Sequence, residues 1–264
     1  MSKIKTVTDF LENIAPLELQ EDYDNAGLIT GSPDWQVTGV ICSLDCTPDV
    51  VQEAIDEKCN LIVCHHPIIF QGLKKLSGNS YIERAVVTAI RHDVAIYAIH
   101  TNLDNVLQNG VNQKIGQRLG LEDCRILSPK NEMVSIGAGL VGRLTSPMNR
   151  EEFLMYLRSR FELEVIRYTH SPAIDRVETV AVCGGAGSFL LESAVSAGAD
   201  VFITADFKYH QFFDADNRIM VLDIGHYESE KFTIQLLYEL ISNNFRNFAA
   251  QMTKMNTNPV RYFR

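Results

Sequence analysis

Three short stretches of this sequence place metal-ligating side chains where apolar runs end. They are His65-His66, the run from His100 to Asp104, and His226 with Glu230. Imidazole and carboxylate donors together make a nitrogen/oxygen set suited to first-row transition metals. Any three of these four histidines, with the two carboxylates, already exceed what one tetrahedral zinc requires. Carboxylates can bridge, so two metals about 3.5–4 Å apart would match the donor count. His226 and Glu230 are four residues apart, which puts both side chains on one face of a helix. A single histidine at a strand end is more often a hydrogen-bonded structural residue, and Glu230 alone would read as a solvated helix residue. The same placement in three separated segments is what points to metal.

The elements that must hold these residues follow from the local pattern. Asn60-Leu61-Ile62-Val63-Cys64 is an apolar run suited to a strand covered on both faces. Pro67 lacks an N–H and biases His66 away from helical geometry, so the strand should stop at the histidine pair. In open α/β sheets that carboxyl edge is where ligands bind. A strand over 37–44 and a helix over 47–58, with Thr47 as cap and Pro48 at its first position, precede it and complete a β-α-β unit. Helices are expected at 6–15 (capped by Thr6 or Thr8), 81–92 and 110–119, with a strand at 94–99 leading into His100. Residues 122–135 are polar, contain Pro129 and read as a linker. Beyond it the pattern predicts helices near 149–160 and 189–197, strands near 163–168, 177–183, 200–204 and 218–224, and a long helix over 228–243. Asp206 falls just after one of these strands. If all three histidine-bearing strands share one parallel sheet, their polar ends meet on one edge.

Composition narrows the class. The chain has 264 residues, enough for two domains, with 46% hydrophobic and 22% charged residues. No apolar run reaches the roughly 20 residues of a membrane span, and the N-terminal residues lack the apolar core of a signal peptide. A net charge of −9 argues against a protein built to hold nucleic-acid backbones. The six cysteines, at 42, 46, 59, 64, 124 and 183, contain no C-x-x-C pair. They are expected to be reduced in a cytoplasmic protein.

Two glycine motifs need separate treatment. Gly137-x-Gly139-x-x-Gly142 matches a dinucleotide fingerprint by spelling, but no helix opens at its third glycine, so an oxidoreductase reading fails. Gly184-Gly185-Ala186-Gly187 lies between a strand and a helix and suits either a tight turn or a phosphate near the metals.

Tyr23-Asp24-Asn25-Ala26-Gly27-Leu28, Val63-Cys64-His65-His66-Pro67, Ala98-Ile99-His100-Thr101-Asn102-Leu103-Asp104, Cys183-Gly184-Gly185-Ala186-Gly187 and the segment from Asp223 to Glu230, with Asn258-Pro259-Val260 near the end, resemble the Nif-three-like family. Its members are also labelled GTP cyclohydrolase I type 2 homologues or dinuclear metal-centre proteins. The resemblance implies that His65, His66, Asp104, His226 and Glu230 hold two divalent ions such as zinc, iron or manganese. It implies two linked α/β lobes with mostly parallel sheets and a final helix returning to the first lobe. The lobes are expected at 1–127 plus 218–264, and at 128–217, in the short form without an inserted domain. It also implies a toroidal homohexamer with metal sites facing an internal cavity. His100 would serve as a further ligand, as a proton shuttle or as a partner behind the ligands, the last being favoured. Asp24 and Asn25 would act similarly near the site, and His210 either faces the cavity or lies exposed on a loop.

The expected function is metal-dependent hydrolysis of a nucleotide-like or phosphorylated small molecule, with no membrane partner. No aromatic stacking element or carboxylate is identifiable in the sequence as a purine clamp. The alternative is a non-catalytic metal-binding scaffold using the same five ligands.

Overall fold

A computed structural model describes residues 2–130, 133–172 and 174–263, with the backbone alone at Met133 and Val134. The chain forms two compact units, Met1–Leu103 with Thr233–Pro259, and Asp104–Phe232 with Val260–Arg264.

In the first unit, α1 (Ile4–Ile14), β1 (Gly27–Thr30), β2 (Gly39–Ser43), α2 (Pro48–Asp56), β3 (Leu61–Cys64), α3 (Tyr81–Arg91) and β4 (Ala95–Ala98) follow in order. A one-turn helix α4 (Thr101–Asp104) then carries the chain into the second unit. There α5 (Val111–Arg118), β5 (Leu121–Lys130), β6 (Met133–Asn149), α6 (Arg150–Phe161), β7 (Arg167–Tyr168), β8 (Arg176–Ala186), α7 (Leu191–Ser196), β9 (Val201–Ala205), β10 (Met220–Asp223) and α8 (His226–Glu230) follow. The chain re-enters the first unit with α9 (Thr233–Asn244) and β11 (Ala249–Met252).

The first sheet has the order β1-β4-β3-β2-β11 and is parallel except for β1. Every residue of β2, β3 and β4 is buried, as the unbroken apolar runs require. Ile41, Ile62 and Ile96 lie side by side on one face, where they pack with Val50, Val51, Ala85 and Ala89 of α2 and α3. Tyr97 belongs to the other face, and its hydroxyl lies 3.3 Å from Glu12 of α1. Thr47 caps α2 by accepting the Val50 N–H at 3.3 Å, as its spacing before Pro48 predicts. At α1, by contrast, neither Thr6 nor Thr8 is the cap. Lys3 occupies that position without a side-chain bond.

The second sheet runs β5-β6-β8-β9-β10-β7. Only β8-β9-β10 is parallel, and the flanking strands are antiparallel, so the expectation of mostly parallel sheets holds for the first unit alone. Four further expectations are corrected. The expected linker is a strand, because β5 pairs with β6 along its length. It lies at the sheet edge, where polar residues and Pro129 are tolerated. Residues 131 and 132 of that stretch lie outside those described. The expected boundaries at 127 and 218 move to 104 and 233, because β5 and β10 both belong to the second sheet. The long helix expected over 228–243 is two helices: Phe232, between them, packs on Phe161 at 5.6 Å and under the Arg118 guanidinium at 3.7 Å. The three histidine-bearing strands do not share a sheet, since β10 is in the second.

Gly137, Gly139 and Gly142 all lie within the single strand β6, which removes any dinucleotide turn. All six cysteines are free. No helix among the described residues is long and apolar enough to cross a membrane.

Thr47→Ala removes the only side-chain cap of α2 and should lower stability by about 1 kcal/mol, read as a lower midpoint in urea unfolding followed by far-UV circular dichroism.

Candidate metal centre

Each unit carries its own set of donors. In the first, the sheet ladder extends just past β3. The His65 N–H reaches the carbonyls of Ser43 and Leu44, at 3.2 and 3.1 Å, and the His66 N–H reaches Leu44 at 2.9 Å. These bonds fix the backbone beneath both imidazoles. His100 stands two residues beyond β4, the neighbouring strand, and its N–H donates to Asn102 Oδ1 at 2.9 Å. The three rings gather at centroid separations of 4.9 Å (His65–His66), 5.1 Å (His65–His100) and 5.3 Å (His66–His100). One ring nitrogen from each lies within 4.8 Å of the others, a geometry that can hold a metal ion.

The opposite nitrogen of each ring is anchored. His65, fully buried, places Nδ1 2.8 Å from the Ile99 carbonyl oxygen. A carbonyl only accepts, so Nδ1 carries the proton and a neutral ring presents its lone pair at Nε2. His66 Nδ1 lies 2.8 Å from Asp45 Oδ1, and Asp45 Oδ2 accepts from Thr257 Oγ1 at 2.6 Å. His100 Nδ1 lies 2.7 Å from Asp24 Oδ1, while Asp24 Oδ2 accepts from both the N–H and the hydroxyl of Thr101. Burial alone would push the Asp24 carboxyl up. The hydrogen bond and charge of His100, with the two Thr101 donors, instead hold it well below the usual carboxylate range. An oxygen behind each imidazole, fixing its tautomer and orientation, is the arrangement that metal-ligating histidines usually have.

In the second unit, His226 opens α8 and Glu230 closes it. His226 Nε2 is 3.1 Å from Glu230 Oε2, as the four-residue spacing predicts, and its Nδ1 is 2.7 Å from Asp206 Oδ2. Burial lowers the affinity of this ring for a proton, but the flanking Asp206 and Glu230 carboxylates outweigh it and push the pKa up to about 11. His226 therefore stays an imidazolium at neutral pH when no metal is bound. A raised pKa of this kind stabilises the fold below the ordinary histidine value of about 6.5, and that contribution is lost as pH rises through about 11. Asp206 is held correspondingly low, first by its hydrogen bond to His226. Asp104 begins this unit, and its carbonyl accepts from Asn112 Nδ2 at 3.1 Å. Burial, then the charges of Asp104 and Glu230, push the Cys183 thiol up.

The glycines at the end of β8 serve Glu230. A Cβ on Gly185, whose φ is +61°, would lie 2.5 Å from Glu230 Oε1, and one on Gly184 would lie 3.3 Å from it. Their amides are already engaged, Gly184 with Asn112 Oδ1 and Gly185 with Ser229 Oγ, each at 3.0 Å. The strand continues to Ala186, and the helix that follows the turn is only six residues long. The phosphate reading of this loop is therefore set aside: it is a carboxylate seat.

Of the residues singled out in the sequence, His65, His66 and His100 come together in one unit, and His226 with Glu230 in the other, where Asp104 also lies. His100 stands nearly as close to His65 and His66 as they stand to each other, so it is grouped with them as a donor. Asp24 holds His100 directly. Asn25 instead donates to the Ile69 carbonyl at 2.6 Å. His210 is exposed on a 3₁₀ helix (Tyr209–Ala215), with Phe213 stacked at 6.4 Å and Tyr209 edge-on at 5.2 Å. Asp45, Asn112, Thr257 and Ser229 were not legible in the sequence, while Asp206 announced itself only by following a strand.

The donor types fit a transition metal, and so does the anchored Nδ1 of each imidazole. The family model Duf34/NIF3 (NGG1p interacting factor 3) matches residues 2–259. A protein of Clostridium acetobutylicum named GTP cyclohydrolase 1 type 2 homolog is 34% identical over 230 residues, covering 86% of this chain and 85% of that one. A Staphylococcus epidermidis protein of the same name is 26% identical over 370 aligned positions. That alignment covers 98% of this chain and all of the relative, which therefore carries residues with no counterpart here. A crystal structure of a hypothetical protein of Staphylococcus aureus superposes with a TM-score of 0.91 at 30% identity, covering 99% of both chains.

Gly185→Ala drives a methyl into Glu230 and forces an unfavourable φ. It should weaken metal binding by roughly 10- to 100-fold, the usual effect of disturbing a ligand's support, with little change in the far-UV spectrum. Competition against a chromogenic chelator measures the loss.

Proposed function

Because the chain belongs to the Duf34/NIF3 family, we propose that it is a dinuclear metal-dependent hydrolase of a nucleotide-like or phosphorylated small molecule. His65, His66, Asp104, His226 and Glu230 are the proposed ligands. One observation carries this reading. Each of the four imidazoles at strand ends, His65, His66, His100 and His226, has its Nδ1 engaged by an oxygen. An acceptor behind Nδ1 leaves Nε2 on the opposite side of each ring, which is how metal-ligating histidines are usually held. The name carried by the curated relatives makes GTP the first substrate to assay.

Bound divalent ions would lower the pKa of a water molecule toward neutrality and polarise the substrate oxygen. The chain's own residues supply the rest. Asp45 and the Ile99 carbonyl keep His66 and His65 in one orientation. Asp206 does the same for His226, and the glycine seat holds Glu230. His100, held at Nδ1 by Asp24, is the side chain placed to move a proton. Since His226 holds a proton in the metal-free protein, metal uptake must displace it. Affinity is therefore expected to rise with pH.

The test compares protein stripped by chelation with protein reloaded with zinc, iron or manganese, on GTP, other nucleotides and simple phosphate esters. Metal-dependent turnover is expected, and His65→Ala with His66→Ala should abolish it. Elemental analysis of that double variant should show bound metal stripped while circular dichroism shows a folded chain. Loaded protein that turns over none of these substrates would refute the hydrolase and favour the metal-binding scaffold.

A further inference from the structure

Phe70 is left unused by everything above, and its setting is unusual. Its ring is 49% exposed, yet it stands perpendicular to His100 at a centroid distance of 5.6 Å. It does not hang on a loose loop. Ile68 is buried in the core of the first unit and Ile69 packs against the same cluster. The Ile69 carbonyl is pinned by Asn25 Nδ2 at 2.6 Å. Asn25 follows Asp24, the residue that holds His100. One dipeptide thus fixes both the imidazole and the aromatic ring beside it. Two inward-facing isoleucines and a side-chain hydrogen bond hold a large apolar ring at the edge of a donor cluster, half in water. That exposure forfeits part of the roughly 1.5–3 kcal/mol a buried phenylalanine contributes. A ring that only had to fill space would face the core as its two neighbours do.

The same segment carries cations. Lys74 and Lys75 follow within five residues and are exposed, and among the described residues neither forms an ion pair. In a chain of net charge −9, two exposed lysines four and five residues after the ring complement an anionic ligand with a planar ring.

We propose that Phe70 is the stacking platform for the heteroaromatic ring of the substrate, with Lys74 and Lys75 meeting its anionic tail. The inference rests on reading the His65–His66–His100 cluster as part of a hydrolytic metal site. It adds that this site selects molecules bearing a planar, nucleobase-type ring over equally charged molecules lacking one. Phe70 is a specificity-determining residue here. The bond-breaking chemistry stays with the metal site and His100.

The experiment measures Kd by equilibrium dialysis on the metal-loaded full chain, with GTP and inorganic triphosphate as probes, for wild type, Phe70→Ala and Phe70→Tyr. Removing a stacking partner should weaken GTP binding by about tenfold or more. Triphosphate binding and metal content should stay the same, and Phe70→Tyr should restore the GTP affinity. The proposal is overturned if Phe70→Ala binds GTP as wild type does, or if both probes weaken equally, which would mean the ring only holds its loop. It is equally overturned if wild type binds GTP no more tightly than triphosphate. Turnover on the same samples separates the two readings. Ring-dependent binding without hydrolysis refutes the hydrolase and keeps the platform, whereas metal-dependent hydrolysis of ring-free esters with ring-independent binding does the reverse.

Discussion

The organisation of this protein turns on one constraint: an imidazole has two nitrogens, and the fold commits one of them in advance. A histidine buried beside a strand end must satisfy its polar atoms or lose several kcal/mol. Here an oxygen acceptor is built behind each ring, from the backbone at His65 and from a carboxylate at His66, His100 and His226. In the first unit the choice of tautomer follows without further machinery. So does the separation of roles between the nitrogen that faces the scaffold and the one that faces the site. The two strands that deliver the rings of the first unit, β3 and β4, are short and wholly apolar.

The second unit solves the same problem with opposite charge. Two carboxylates flank one ring, and in the metal-free protein a proton occupies the space between them. The proton keeps the acidic cluster from repelling itself, at the cost of a competitor for any incoming cation. Glycine is required nearby for a steric reason, since the Glu230 carboxylate rests against a backbone that tolerates no side chain. A glycine run after a strand is commonly associated with anions. Here the anion is one of the protein's own side chains.

Much of this was readable before any coordinates. The run from Leu61 to Cys64 with Pro67 marks a buried strand and its end, Thr47-Pro48 marks a helix start, and the four-residue spacing of His226 and Glu230 survives intact. The failures share a cause. β5 is polar because it lies at an edge, so alternation carries little signal. The interruption between α8 and α9 involves neither glycine nor proline. It comes from tertiary packing of Phe232, which periodicity cannot register. The supporting side chains were hidden by sequence distance: Thr257 reaches back 212 positions to Asp45, and Asn112 reaches forward 72 to Gly184.

The discontinuity of the first unit bears on the order of synthesis. Its central strands emerge from the ribosome early, but β11, which pairs with β2 along the first sheet's edge, and Thr257, which steadies Asp45, are translated after the whole of 104–232. The second unit can close its sheet first, while the earlier-made strands still display an unpaired edge. Such edges invite association with other chains. The histidine cluster is therefore finished late, and a nascent polypeptide halted before residue 249 would carry its imidazoles on an incomplete sheet.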